Sequence, residues 1–365
     1  MTTAASLWYK RAYDAVNHRL QTVAGGRLAD WCRPTWISLL LTERCNARCV
    51  HCDIWQNRGK EDGPTLDQWK TALTDLRRWL GPAHVCLTGG EALLVPHTIE
   101  VVRHAVDLGL IVEVLTHGYW GDQTRIEALA RANPWRITVS LDGLGPTHSK
   151  VRGREGFFER TRQSLETMTR LRRDEGLGYS ILLKTVVMRH NVDQLEPLAS
   201  FAKSEGMEIF YQPIEQNYNT AEDLDWFEQS DNWPDDRSQV VAAVQRLIEL
   251  KRRGFPIANG FRQLEVMIPY FQDPRASQVE VRQHTAHHPH RACSALGLLQ
   301  VQSNGDVSVC VSAPPVGNIK TRSPREIWNN RPKWWRGGCC LERFGDTGVP
   351  LPPPTEASSR EARLP

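Results

Sequence analysis

The chain has 365 residues, 40% of them hydrophobic, which is enough apolar material for one large globular domain and a smaller one. Its 45 Lys and Arg side chains nearly balance its 42 Asp and Glu side chains, so a formal charge of +3 gives no indication of a nucleic-acid partner. No apolar run approaches the roughly 18 residues of a membrane span, and the N-terminus lacks the apolar stretch of a signal peptide. We therefore expect a cytoplasmic protein without a membrane partner, whose nine cysteines are metal ligands or thiols rather than disulfides.

The elements predicted in chain order are an N-terminal amphipathic helix over residues 5–22 and then alternating strands and helices. Short apolar runs that read as buried parallel strands lie at 36–42, 84–90, 111–118, 135–143, 179–188 and 207–214. Helical segments separate them near 65–79, 96–109, 122–132, 156–173 and 192–204. The first of these begins with the capping-box residues Thr65 and Gln68. This alternation predicts an α/β fold, a partial (β/α)6 TIM-like barrel with its active site at the carboxyl ends of the strands.

The regular alternation ends at Ile214. An acidic, aromatic stretch and one further helix at 239–254 come next, and a loop-rich part with four cysteines follows them. We divide the chain into an N-terminal helical segment (1–33), the barrel (34–214), a connecting helical region that covers the substrate (215–290), a small cysteine-containing C-terminal α+β module (291–345) and a disordered tail (346–365).

Three cysteines follow the first predicted strand, in the stretch TERCNARCVHCDIW. Cys45, Cys49 and Cys52 have the spacing C-x3-C-x2-C. Soft thiolates bind zinc, copper(I) or iron–sulfur clusters. With His51 as a fourth ligand the site would be a structural zinc site, whereas a four-iron cluster held by three cysteines keeps one iron open to a substrate. The spacing favours iron–sulfur but leaves both alternatives open.

Two glycines and an acid end the second predicted strand. In LTGGEALL, Gly89, Gly90 and Glu91 lie where the backbone can approach a ligand closely and recognise an ammonium or carboxylate group. A tight turn is the alternative explanation for the same residues. Beside the cysteine loop, however, the motif is more specific.

Together these motifs resemble those of the radical S-adenosylmethionine (SAM) enzymes, over about residues 34–214. Three further segments also resemble motifs of that family: THG (116–118), VSLDG (139–143) and HSKVRGREGFF (148–158). The resemblance implies that Cys45, Cys49 and Cys52 bind three irons of a [4Fe–4S] cluster and that SAM chelates the fourth. It also implies reduction by a flavodoxin- or ferredoxin-type protein and cleavage of SAM to a 5′-deoxyadenosyl radical.

The resemblance assigns further residues to the SAM site. His51 is expected near the adenine, and Gly89, Gly90 and Glu91 are expected to hold the methionyl amine. The remaining positions that match the lining of the site are Thr116, Ser140 and Gln212. Lys184 is either a contact for a substrate carboxylate or a solvated side chain, and Asp142 is expected mainly to make turn hydrogen bonds.

The C-terminal cysteines begin with Cys293 and Cys310, in CSALGLLQVQSNGDVSVC. The segment between them predicts a β-hairpin that brings its two ends together. With GNI (317–319) and REIWNN (325–330), it resembles the SPASM and twitch extensions of radical SAM enzymes. Cys339 and Cys340 would complete one auxiliary iron–sulfur cluster, although adjacent cysteines can hardly both bind it without strain. The alternative is a remnant module with zinc or no metal, and Cys32 and Cys86 are expected to be ordinary buried thiols.

The resemblance predicts a radical SAM oxidoreductase or epimerase that abstracts hydrogen from a C–H bond of a small polar metabolite. A dehydrogenation would use the auxiliary cluster as electron acceptor, and an epimerisation would use Cys339 or Cys340 as hydrogen donor. The 33 residues before the barrel are too few for a leader-peptide recognition domain, which favours a metabolite. The alternatives are a maturase of a ribosomal peptide or protein and, in another class, a non-catalytic iron–sulfur electron-transfer protein.

Overall fold

The computed structural model of the chain describes residues 3–57, 62–217, 219–220, 223–287, 289–310 and 313–336. The strands are β1 (Trp36–Leu40), β2 (His84–Thr88), β3 (Ile111–Thr116), β4 (Arg136–Ser140), β5 (Ser180–Val187), β6 (Glu208–Pro213), β7 (Leu298–Val301), β8 (Asp306–Ser308) and β9 (Gly317–Asn318). The α-helices are α1 (Ala4–Thr22), α2 (Leu66–Leu80), α3 (Thr98–Asp107), α4 (Thr124–Ala132), α5 (Pro146–Arg152), α6 (Phe157–Asp174), α7 (Leu195–Ser204), α8 (Arg237–Arg252), α9 (Phe261–Glu265), α10 (Met267–Gln272), α11 (Pro274–His287), α12 (Pro289–Ala292) and α13 (Pro324–Asn329). The predicted tail at 346–365 lies outside the described residues.

All strands belong to one sheet, in the order β6-β5-β4-β3-β2-β1-β7-β8-β9. Neighbouring strands from β6 to β7 are parallel, and β8 and β9 run antiparallel to their neighbours. The alternation of six parallel strands with helices is therefore confirmed as the α/β partial barrel. The predicted capping box is also present, because the Thr65 hydroxyl accepts from the N–H of Gln68 at 3.3 Å and the Gln68 side chain accepts from the N–H of Thr65 at 2.9 Å.

The two faces of the six barrel strands differ in polarity, because successive side chains of a strand point to opposite faces. The outer face carries apolar side chains that pack with the helices into the main core, among them Ile37, Leu39, Val85, Val112 and Val139. The strand register places another set together on the inner face: Ser38, Cys86, Glu113, Thr138, Ser140, Lys184, Phe210 and Gln212. The lumen of the barrel thus carries charged and polar side chains, interspersed with apolar ones such as Leu40, Leu115 and Leu182.

The C-terminal hairpin continues the sheet of the barrel, which the sequence did not predict. The carbonyl of Gly297 accepts from the N–H groups of Thr35 and Trp36, both at 2.9 Å, and this places β7 beside β1. β1 is the edge of an open barrel, and an unpaired edge readily accepts another strand. None of the helices described here is long and apolar enough to cross a membrane.

Candidate functional site

The three cysteines of the C-x3-C-x2-C motif lie on the loop after the carboxyl end of β1. Cys49 is buried, and Cys45 and Cys52 are half-buried. The three side chains belong to one small cluster with Ala47 and Phe157, the first residue of α6. The loop therefore presents three thiols together over an aromatic ring, at the end of the barrel where its active site was predicted.

The cysteine loop is attached to the end of α5 by backbone hydrogen bonds. The N–H of Arg48 donates to the carbonyl of Arg152 at 3.0 Å, and the N–H of Val50 donates to the carbonyl of Val151 at 2.9 Å. Gly153, at φ +68°, ends the helix so close to the loop that a Cβ there would lie 2.0 Å from the carbonyl oxygen of Arg48. The segment 148–158 thus holds the cysteine loop in place.

The chemistry of this donor set fits a polynuclear iron–sulfur cluster. Burial raises the pKa of Cys45 to about 12 and also raises the pKa of Cys52, so the thiolates require a compensating cationic group. Three cysteines can bind three irons of a four-iron cluster and leave the fourth iron open to another ligand. The buried Nε of Arg152 has no hydrogen-bond partner among these residues and can serve an acceptor such as inorganic sulfide.

The Gly-Gly-Glu turn is paired with the start of the cysteine loop. The N–H of Gly90 donates to the carbonyl of Thr42 at 2.8 Å, and the N–H of Glu91 donates to the carbonyl of Arg44 at 2.9 Å. Cβ atoms at Gly89 and Gly90 would lie only 2.2 Å and 2.4 Å from the carbonyl oxygens of Thr42 and Arg44. The glycines are therefore required by this close approach of two backbones, whatever ligand the turn also holds.

The Glu91 side chain is buried within hydrogen bonds of the protein. Its Oε1 accepts from the Thr116 hydroxyl at 2.9 Å and from the N–H of Leu93 at 3.1 Å. Its Oε2 accepts from the N–H of His117 at 2.9 Å. The acid thus braces the turn against the end of β3. The assignment of Glu91 and Thr116 to the SAM site stays a prediction, and the structure gives both side chains this bracing contact as well.

The other residues assigned to SAM lie at the same end of the barrel. Ser140 and Gln212 are half-buried on the inner face near the carboxyl ends of β4 and β6. Nδ1 of His51 is buried without a hydrogen-bond partner among the described residues, and burial lowers the pKa of His51 to about 4. A neutral imidazole with an unused nitrogen suits a contact with a nucleobase.

Asp142 makes the turn hydrogen bonds that were predicted and, in addition, a buried ion pair. Its Oδ1 accepts from the N–H of Val186 at 2.9 Å, and its own N–H donates to Nδ1 of His148 at 3.0 Å. Its Oδ2 lies 2.6 Å from the guanidinium of Arg152. Burial opposes ionisation of Asp142, yet the charge of Arg152 and the hydrogen bond from the N–H of Val186 keep its pKa below the ordinary value.

A cleft of about 490 Å³ opens beside the cysteine loop. Its lining residues are Arg44, Cys45, Asn46, Arg48, Trp55, Asn57, Leu94 and Arg154. Three of these are exposed arginines, and the guanidinium of Arg48 lies 4.8 Å from the ring centroid of Trp55. Because none of the lining residues is acidic, the cleft is a cationic surface that reaches Cys45.

The predicted auxiliary site lies at the opposite end of the sheet. Cys293 precedes β7, which begins opposite Trp36, the first residue of β1, and Cys310 follows β8. The predicted hairpin between the two cysteines is confirmed. Close by, Nε of Arg331 donates to the carbonyl of Ala295 at 2.7 Å. Cys339 and Cys340 lie outside the described residues, so their assignment stays a prediction.

Sequence reasoning missed one functional candidate inside the barrel, Glu113. Glu113 lies on the inner face of the barrel, where its carboxylate accepts from the Thr138 hydroxyl and lies 3.1 Å from Nε2 of His84. A single acid inside the apolar run IVEVLT was the signal for it.

Cys86 is buried on the same face near Glu113 and Lys184, which settles the orientation that its strand position left open. Cys32 is a buried thiol, as predicted.

Two protein families match this chain. Residues 39–202 match the radical SAM superfamily, and residues 293–336 match the iron–sulfur cluster-binding SPASM domain. The two matches coincide with the barrel that carries the cysteine loop and with the hairpin that begins at Cys293.

Several characterised proteins are similar to the chain over most of its length. The AdoMet-dependent heme synthase of Methanosarcina barkeri is 26% identical, over 81% of this chain and 82% of that protein. The pre-heme d1 synthase of Dinoroseobacter shibae is 25% identical, over 82% of this chain and 76% of that protein. The PqqA peptide cyclase of Methylorubrum extorquens is 24% identical, over 86% of this chain and 80% of that protein.

The fold is also that of SuiB from Streptococcus suis. The structure of SuiB bound to its precursor peptide SuiA superposes with a TM-score of 0.61 at 14% identity, covering 89% of this chain and 70% of SuiB. In the structure of SuiB alone the chain spans 66% of SuiB. The chain therefore contains a radical SAM domain and a C-terminal SPASM domain, and these two domains imply a [4Fe–4S] cluster, SAM binding and an auxiliary iron–sulfur cluster.

Proposed function

We propose that the protein abstracts a hydrogen atom from a C–H bond of a small polar metabolite bound in the barrel lumen. The observation that carries this proposal is the set of charged and polar side chains on the inner face of the barrel, among them Glu113, Lys184 and Gln212. When bound, the cluster held by Cys45, Cys49 and Cys52 together with SAM supplies the 5′-deoxyadenosyl radical for this step.

The lumen offers charges of both signs to such a substrate. Lys184 is paired in register with Ser140 and faces the inner side near Glu113 and Cys86. Burial opposes ionisation of Glu113, yet hydrogen bonds from His84 and Thr138 hold its pKa below the ordinary value, so the acid is an anion at neutral pH. Charged groups in the lumen favour a substrate that can pair with them, because covering a charge with an apolar substrate costs free energy. A hydroxyl- or carboxylate-bearing metabolite fits best.

Two described residues of the segment after β6 are hydrogen-bonded to the cysteine loop. The N–H of Asn219 donates to the carboxylate of Asp53 at 3.1 Å, and the side chain of Asn232 donates to the carbonyl of Val50 at 2.9 Å. Both contacts hold the segment against the cysteine loop, and we expect the segment to narrow the access to the lumen. This cover favours a small substrate over an extended peptide, and it supports a substrate-covering role for residues 215–290.

Modification of a peptide is the second candidate. PqqA peptide cyclase is similar to this chain over most of its length, and SuiB, whose fold the chain shares, was captured with a precursor peptide. The heme and pre-heme d1 synthases are instead named for small molecules. Since fold and remote similarity do not determine the substrate, the side chains that line the lumen are the better guide to whether a metabolite or a peptide binds.

The placement of the two cysteine sites toward opposite ends of β1 favours dehydrogenation. β1 spans four residue steps from Trp36 to Leu40, or roughly 13 Å, and separates the amino end beside β7 from the cysteine loop. A substrate in the lumen would therefore lie between the two clusters, and the auxiliary cluster could take its second electron. Epimerisation, with Cys339 or Cys340 as hydrogen donor, is the alternative reaction.

The cationic cleft is the proposed docking site for the reductant, an acidic flavodoxin- or ferredoxin-type protein of the cytoplasm. Arg44, Arg48 and Arg154 surround the part of Cys45 that the cleft reaches, so an acidic partner would be steered to the cluster. Arg154→Glu should slow reduction by such a protein at least about tenfold at low ionic strength. Reduction by photoreduced deazaflavin, a small molecule, should be unchanged. Equal rates with the protein reductant would contradict the docking site.

The proposal is tested by anaerobic reconstitution with iron and sulfide, followed by SAM, reductant and fractions of a metabolite extract separated by molecular mass. A low-mass fraction should increase 5′-deoxyadenosine formation, and deuterated solutes in that fraction should transfer deuterium to it. The variant Lys184→Met should keep basal SAM cleavage and lose this stimulation. Stimulation by a peptide fraction alone would select the maturase, and absence of 5′-deoxyadenosine with an intact cluster would contradict both.

A further inference from the structure

We propose that Arg152 is a positioning residue for the SAM-binding cluster, whose guanidinium donates a hydrogen bond to Sγ of Cys49 and makes the cluster easier to reduce. This inference rests on the proposed function only in assuming that Cys49 binds iron. It gives a role to Asp142 of VSLDG and to Arg152 of HSKVRGREGFF, two side chains that were not assigned to the SAM site.

The contact is direct and buried. Nη1 of Arg152 lies 3.5 Å from Sγ of Cys49, and Nη2 lies 2.6 Å from Oδ2 of Asp142. The side chain of Arg152 is 8% exposed and that of Asp142 is fully buried. A buried charge is normally paired, and here the pair is aimed so that its cationic end faces the sulfur.

The planar fork of arginine is what allows both contacts. One terminal nitrogen binds the carboxylate while the other reaches the sulfur, so the position of the donor is fixed by Asp142. Lysine carries its charge on a single nitrogen and cannot hold both partners in this geometry.

Asp142 is itself immobilised by neighbours from three segments. Its Oδ1 accepts from the N–H of Val186, and its N–H donates to Nδ1 of His148. Its carbonyl accepts from Nδ2 of Asn191 at 2.8 Å. His148 and Arg152 lie four residues apart on α5, so Asp142 binds both motif residues of one helix. Both motifs therefore help to fix the position of the Arg152 guanidinium.

The direction of the effect follows from charge. Reduction adds one electron to a cluster whose cysteine sulfurs already carry negative charge. A hydrogen-bond donor at a ligand sulfur stabilises the reduced state more than the oxidised one, and hydrogen bonds to sulfur are among the factors that set cluster potentials. The low dielectric around a buried contact strengthens the interaction.

The test is a redox titration of the SAM-binding cluster, followed by electron paramagnetic resonance in the reconstituted protein. The signal is assigned by its change when SAM is added, because only this cluster binds SAM. Arg152→Gln should shift the ratio of reduced to oxidised cluster at least tenfold toward oxidised at any fixed potential, which is 59 mV for one electron.

A second variant separates the hydrogen bond from the loss of a buried charge partner. Asp142→Asn with Arg152→Gln removes both charges and keeps side chains of similar size, so it leaves no unpaired carboxylate. The double variant should still titrate at a lower potential than the wild type. Arg131→Gln, which breaks the surface pair of Arg131 with Glu175, is the matched control and should leave the potential unchanged.

The outcomes distinguish this inference from the proposed function. If the wild-type protein forms no SAM-sensitive cluster, the proposed function fails. If the cluster forms and both Arg152 variants titrate at the wild-type potential, Arg152 serves the fold alone and the inference is overturned. Iron bound per chain is measured in each variant, so loss of the cluster itself is seen separately.

Discussion

Nε2 of His117 lies 2.7 Å from Oδ1 of Asn46 and connects the end of β3 with the cysteine loop. Nδ1 of the same ring accepts from the N–H of Tyr119 at 2.9 Å, so the hydrogen of the neutral ring is on Nε2 and donates to Asn46. Since the N–H of His117 also donates to Glu91, this residue joins the cysteine loop, the Gly-Gly-Glu turn and β3. The cysteine loop is thus held in position by hydrogen bonds within the protein itself.

Replacing Glu91 should loosen this arrangement. Glu91→Ala leaves the Thr116 hydroxyl and the N–H of His117 without their acceptor, and unsatisfied buried donors cost about 1–3 kcal/mol each. We expect the free energy of unfolding of the cluster-free protein to fall by about 3 kcal/mol, measured by urea denaturation. Glu159→Ala, on the exposed side of α6, is the control and should cost under about 0.5 kcal/mol.

Gly90→Ala should disrupt the cysteine loop through its backbone. The new Cβ would lie 2.4 Å from the carbonyl oxygen of Arg44 and 2.6 Å from that of Glu43, so the two segments must move apart. We expect iron bound after reconstitution to fall well below that of the wild type. Gly260→Ala places its Cβ 3.6 Å from the nearest atom and should bind iron normally. Equal iron content in the two variants would refute this requirement.

Acid should destabilise the protein through His148. Burial, followed by the positive charge of Arg152, lowers the pKa of His148 to about 3, whereas the unfolded chain titrates near 6.5. Between these values the unfolded state binds a proton that the folded state does not, so the free energy of unfolding decreases as pH falls below 6.5. The slope from one such group reaches about 1.4 kcal/mol per pH unit.

The variant His148→Asn isolates this contribution, because an amide oxygen can still accept from the N–H of Asp142. Its free energy of unfolding is measured in urea at roughly pH 4.5 to 7.5, a range that includes the usual pKa of histidine. This free energy should depend on pH less steeply than that of the wild-type protein. Identical slopes would show that His148 is already protonated in the folded protein.

Phe157 should protect the cluster from solvent. It is fully buried against Cys49 and Ala47, and its ring lies 4.4 Å from that of Tyr119, centroid to centroid. Phe157→Ala should cost about 3–5 kcal/mol of unfolding free energy. It should also speed the bleaching of the reconstituted cluster in air. Phe158 is not part of the cluster formed by Phe157, Cys49 and Ala47. The control variant Phe158→Ala should therefore bleach at the wild-type rate.

The fold was largely predictable because strand and helix patterns are local. Six strands and the capping box at Thr65 follow from short-range hydrophobic periodicity. The pairing of β7 with β1 was not predictable, since it joins residues more than 250 positions apart along the chain and leaves no local pattern.

The candidate site was predictable only as far as its motifs. The cysteine loop follows β1 as expected, but the bracing of Glu91 by His117 and the contact of Arg152 with Cys49 depend on side-chain directions in three dimensions. Glu113 illustrates the same limit, because its strand position does not say which face of the barrel it lies on.

The most direct test of the central claim compares two sets of cysteine variants after anaerobic reconstitution. Iron content and 5′-deoxyadenosine are measured with SAM and dithionite. Replacing Cys45, Cys49 and Cys52 with Ala should abolish 5′-deoxyadenosine, whereas replacing Cys293 and Cys310 with Ala should lower iron content and retain SAM cleavage. Production of 5′-deoxyadenosine by the variant without Cys45, Cys49 and Cys52 would contradict the account.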